Sequence, residues 1–78
     1  MFNGGNDMNK VIKYVNPPKV CDNCKQPLKT FMYDAKTVYG PWGNFCEDCF
    51  NTICMGLGTG LGQQYKQNEA GEWIKVAG

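Results

Sequence analysis

Two Cys-x-x-Cys pairs constrain this chain more than any other feature: Cys21-Asp22-Asn23-Cys24 and, after 21 intervening residues, Cys46-Glu47-Asp48-Cys49. Each pair sets two thiolates on one side of a tight turn, where both reach one ion. Two pairs supply the four ligands of a closed tetrahedral site. Thiolates select zinc or iron, and zinc is the usual occupant of small structural sites. The rival uses of such cysteines are buried free thiols and redox pairs. A staple is also what the length demands. A chain of 78 residues, 42% apolar, makes one domain whose core rarely suffices without disulfides, a metal or a partner subunit.

The two pairs differ in their surroundings. Lys25-Gln26-Pro27 follows the first, so a turn and not a helix is expected there. Many zinc knuckles carry glycine after the second cysteine; Lys25 stands in that place and would need a positive φ. After the second pair, Phe50, Ile53, Cys54 and Leu57 recur at helical spacing. Glu47 and Asp48 suit a first helical turn, and Gly56 suits a helix end. Cys54 then reads as a small buried hydrophobe, with reactive thiol or spare ligand as the alternative. Between the pairs, Leu28 to Pro41 reads as a hairpin turning at Asp34-Ala35-Lys36, with Val38 and Tyr39 on the return strand. Knuckle, hairpin and ligand-bearing helix give a small α+β metal-stabilised domain similar to the treble-clef zinc finger. The alternative is a zinc ribbon, with two knuckles and no helix at the second pair.

Three segments are expected. Residues 1–20 form a flexible arm with a short strand at Val11–Val15, residues 21–56 the four-cysteine module, and residues 57–78 a glycine-rich strap and a C-terminal hairpin. In that hairpin, Tyr65-Lys66-Gln67 and Glu72 to Val76 flank Asn68-Glu69-Ala70-Gly71, with Gly71 at the positive-φ position. The strap places Gly56, Gly58, Gly60 and Gly62 at alternate positions. It matches neither the dinucleotide nor the phosphate-loop template and follows the helix instead of preceding one. Close backbone packing is the plain reading, and contact of Gly58, Gly60 and Gly62 with a partner the sharper one.

Composition removes several functions. The chain has no His, Arg or Ser, which excludes Ser-His-Asp and Cys-His catalysis and bidentate Arg recognition of guanine or phosphate. A net charge of +1 gives no strong field, and ionising four thiols around a divalent cation lowers it by about two units. The basic residues of the arm, Lys10, Lys13 and Lys19, offer few phosphate contacts. Most aromatics are expected in the core; Trp42, beside Gly43, and Tyr39 are the candidates for exposed partner contacts. No run approaches the length of a membrane span, and the polar N-terminus does not resemble a secretory leader. An odd cysteine count with two close pairs fits a reducing compartment.

From Cys21 to Tyr65 the chain resembles a group of short phage-encoded zinc-finger proteins. The resemblance rests on the two cysteine pairs, Gly40-Pro41-Trp42 and Gly56-Leu57-Gly58-Thr59-Gly60-Leu61-Gly62-Gln63-Gln64-Tyr65. It implies a structural zinc held by Cys21, Cys24, Cys46 and Cys49, and a bacterial host cytoplasm or virion as the setting. It implies no activity. The group would carry a basic residue within the glycine segment, where this chain has Leu61. The function expected is that of a non-enzymatic adaptor for a host or virion protein, with no small-molecule substrate. The alternatives are a DNA- or RNA-binding finger, using Trp42, Tyr39 and the Lys10–Lys19 arm, and a thiol–disulfide protein.

Overall fold

The computed structural model describes residues 17–78; the expected strand at Val11–Val15 and most of the basic arm lie outside them. The described residues form an antiparallel four-stranded sheet and one short helix, an α+β domain. In chain order the elements are β1 (Phe31–Lys36), β2 (Trp42–Phe45), α1 (Glu47–Ile53), β3 (Gly62–Gln67) and β4 (Trp73–Ala77). The sheet order is β2-β1-β3-β4, so the chain leaves the first hairpin through α1 and returns on the far side of β1.

Alternation and register divide the sheet into two faces. Tyr33 lies opposite both Phe45 and Gln64, and Ala35 opposite Gly43 and Gly62. This face carries α1, whose Phe50 stacks on Tyr33. On the other face Met32 lies beside Tyr65, and both are buried, as is Trp73 of β4. Three of the aromatics expected in the core are thus in it.

The first hairpin turns later than its sequence suggests. Asp34, Ala35 and Lys36, expected as the turn, continue β1. The chain reverses over Thr37–Pro41, where Thr37 donates both its amide and its hydroxyl to the Pro41 carbonyl at 2.9 Å. Gly40 takes a φ of 113° there, a conformation open to glycine. Ala35 is fully buried between glycines of the two neighbouring strands, and that packing outweighs the turn propensity of Asp34. Val38 and Tyr39 consequently sit in the turn, not on a return strand, and Trp42 begins β2.

Helix α1 is also shorter than the apolar spacing implies. It ends at Ile53, because Cys54 becomes extended and bridges Thr37. The Val38 amide donates to the Ile53 carbonyl at 2.8 Å, and the Met55 amide to Lys36 at 3.0 Å. Backbone pairing with the hairpin tip therefore replaces the last expected turn. Leu57, expected on the buried helical face, is exposed, and Gly56 is not a helix cap. Cys54 does pack against the core as a partly buried thiol.

The C-terminal hairpin follows its turn residues. Asn68 accepts from the amides of Ala70 and Glu72 through its side-chain oxygen, and Gly71 has a φ of 83°. The glycine strap folds tightly at its end, with Gly58 and Gly62 exchanging backbone bonds of 2.9 and 3.0 Å. A Cβ on Gly62 would stand 2.7 Å from the Gly56 carbonyl oxygen and 2.9 Å from the Ala35 Cβ. This is close backbone packing, which only glycine permits here.

Candidate metal centre

The first cysteine pair sits on a knuckle formed before β1. Its backbone is closed by the Cys21 amide donating to Gln26 at 2.9 Å and the Lys25 amide donating to Cys21 at 3.0 Å. A bridge between Val20 and Pro27 seals its base. Lys25 adopts a φ of 66°, the left-handed conformation its position requires. The knuckle is tied to β2 by Asp22. Its amide donates to the Asn44 carbonyl at 2.9 Å, and its carboxylate accepts from the Asn44 amide at 2.7 Å.

The second pair enters from the other direction. Cys46 is the N-cap of α1, with extended backbone and no side-chain cap bond, and Cys49 lies one turn into the helix. Glu47 and Asp48 occupy the first turn, where carboxylates favour the helix dipole. The Tyr33–Phe50 stack holds this turn on β1.

The four sulfur atoms converge, all within 4.8 Å of one another. The Cys24 and Cys46 sulfurs are 3.7 Å apart. Four sulfurs at ~2.3 Å from a common centre in tetrahedral array stand ~3.8 Å apart, so the spacing suits a thiolate-bound metal and not a disulfide. All five cysteines are free, and Cys54 is outside the cluster. Burial is uneven: Cys21 and Cys49 are buried, Cys46 is half-buried and Cys24 is exposed. A groove lined by Lys29, Phe31, Glu47 and Asp48 opens beside Cys46.

The electrostatics of the cluster favour anionic sulfur at one ligand first. Burial opposes ionisation of Cys21, but the surrounding amides of Cys24, Cys46 and Asn23 outweigh it and bring the thiol down to about 7. At Cys49 the Asn23 side chain favours the thiolate. Burial and the three neighbouring sulfurs oppose it and push the thiol up to about 12. Burial also raises Cys46, aided by the sulfurs of Cys24 and Cys21. Crowded thiols that cannot all ionise together are what a cation resolves.

Two residues outside the cysteines matter here, and sequence reasoning missed both. Asn23 and Asp22 fill the variable positions of the first pair; their polar side chains were the only signal. Of the candidate partner contacts, Tyr39 and Trp42 are 76% and 47% exposed. Gly60 is exposed and Gly58 half-buried, whereas Gly62 is buried against Ala35 and offers no surface. Among the described residues no helix is long and apolar enough to cross a membrane. No protein-family model, curated protein or solved structure matches the chain. The geometry therefore stands on its own: four cysteines, from a knuckle and a helix entrance, are positioned to bind one metal ion.

Proposed function

We propose that this chain is a treble-clef-like structural zinc module with no catalytic role, acting as an adaptor that binds another protein through the tip of its first hairpin. Zinc is favoured over iron because a closed four-thiolate set in so small a domain suits an ion with no redox chemistry. Knuckle, hairpin and ligand-bearing helix follow one another in treble-clef order. A closed sphere leaves no position for substrate, which argues against a catalytic metal.

The observation that carries the adaptor reading is an uncharged apolar tip. Val38, Tyr39 and Trp42 are exposed there, and Met55 and Leu57 are exposed on the segment bonded to it. Residues 37–45 and 50–65 contain no charged side chain. Exposed aromatics without charge suit the centre of a protein interface better than a polyanion. On the resemblance alone we place the module in a phage-infected bacterium, its partner a host enzyme or a virion subunit.

The test is capture by the zinc-loaded full chain from host lysate and from purified particles, compared with a Tyr39→Ala/Trp42→Ala variant. A specific partner lost in the variant supports the reading; no partner in either source sinks it. The same aromatics could stack on bases, which keeps a nucleic-acid reading as the alternative. Binding to single-stranded DNA or RNA that weakens steeply with salt would favour that alternative.

A further inference from the structure

Asn23, which is not itself a cysteine, reaches a sulfur in each cysteine pair. Its backbone amide lies 3.4 Å from the Cys21 sulfur, and its side-chain Nδ2 donates to the Cys49 sulfur at 3.2 Å. The first contact is local to the knuckle. The second spans 26 residues and joins the knuckle to α1 across the site. Cys49 is buried, so this N–H is a directed donor at a sulfur that water scarcely reaches.

We infer that Asn23 is a positioning residue for the bound metal: its side chain orients the Cys49 thiolate, withdraws charge from it and locks the two cysteine pairs into one preorganised site. The inference rests on the metal-site reading above. Its physical content is that of outer-shell bonds in general. A donor held against a ligand fixes the ligand's direction and tunes the bond it makes to the ion, and losing one typically costs 10–100-fold in affinity. Asp22 and Lys25 do not share the role. The Asp22 carboxylate is spent on the Asn44 amide, and the Lys25 ammonium on the Asp22 carbonyl.

The experiment uses the full chain with Zn²⁺ and with Co²⁺ as a spectroscopic probe. Affinities are read by competition with a chromophoric chelator for the native chain, Asn23→Ala and Asn23→Asp. Asn23→Asp keeps the shape of the side chain but replaces the donor by an acceptor and brings a negative charge to the thiolate. The expected result is a loss of at least about tenfold for Asn23→Ala and a larger one for Asn23→Asp. The cobalt–thiolate charge-transfer band should move to lower energy in both, since an unbonded thiolate is the better electron donor. A purely structural role would weaken binding without moving that band. Native-like affinity and an unmoved band in Asn23→Asp would overturn the assignment. Failure of the native chain to bind either ion would instead remove the metal-site reading itself.

Discussion

The ring of Tyr33 on β1 stacks on the ring of Phe50 on α1, with centroids 4.2 Å apart and planes inclined by 16°. Phe50 follows Cys49 directly, so the stack joins the four-cysteine cluster to the sheet. Tyr33 is held in turn by the Gln64 amide, which donates to its hydroxyl at 2.9 Å from β3. Metal, helix and sheet should therefore lose order together. A strong chelator at neutral pH is expected to abolish the near-UV ellipticity and the helical far-UV signal in one transition. Near-UV ellipticity surviving intact would show that the sheet orders these aromatics without the ion.

The cysteines are expected to separate sharply on substitution. On the proposed zinc reading Cys46→Ser removes a ligand, and a structural zinc contributes on the order of 10 kcal/mol to folding, comparable with the whole stability of a small domain. The variant should be unfolded at ambient temperature. Cys54 lies outside the cluster and is partly buried, so Cys54→Ala should cost about 1 kcal/mol, the scale of one buried methylene. Thermal unfolding with metal analysis measures both. A folded, zinc-replete Cys46→Ser protein would contradict the assignment.

Acid should expel the metal. Protons and metal compete for the same sulfurs, so the stability due to the ion is present at higher pH and lost as pH falls. Cys21 titrates at about 7 and Cys49 at about 12 in the metal-free site. Below about pH 7 the most acidic of these thiols is protonated as well, and each ion taken up displaces up to about four protons. Zinc release, followed with a chromophoric chelator, should therefore steepen as pH falls from about 7. A metal content unchanged down to about pH 4 would be incompatible with a four-thiolate site.

Gly62→Ala should destabilise the sheet without touching the metal. Its Cβ would meet the Gly56 carbonyl oxygen at 2.7 Å and the Ala35 Cβ at 2.9 Å. Overpacking of this kind costs about 1–3 kcal/mol, and each kcal/mol lowers Tm by about 4–8 °C in a domain of this size. Differential scanning calorimetry at saturating zinc should show the drop with unchanged metal stoichiometry. An unshifted Tm would mean that the strap is free to move aside.

Lys25→Gly is expected to stabilise. At a φ of 66° a side chain is strained by about 1–2 kcal/mol. The substitution sacrifices the exposed Lys25 bond to the Asp22 carbonyl and adds backbone freedom to the unfolded chain. A net gain of up to about 1 kcal/mol should appear as a higher midpoint in denaturant. A lower midpoint would assign the larger weight to the lysine bond.

What the residues determined unaided was local. Cys-x-x-Cys spacing needs only a tight turn to bring two sulfurs together, and Asn68 to Gly71 carry their own turn geometry, so the grouping of thiols in pairs and the last hairpin were legible in the chain. The left-handed Lys25 was legible for the same reason. Three things were decided only in the tertiary structure. Ala35 stayed in a strand because glycines on both sides closed around it, and the hairpin turned later. Cys54 left the helix because Thr37 stood ready to pair with it. Asn23 reached Cys49 because folding brought the knuckle against α1. Each depends on a backbone or side-chain partner remote in sequence, and neither propensity nor periodicity reports where such a partner will stand.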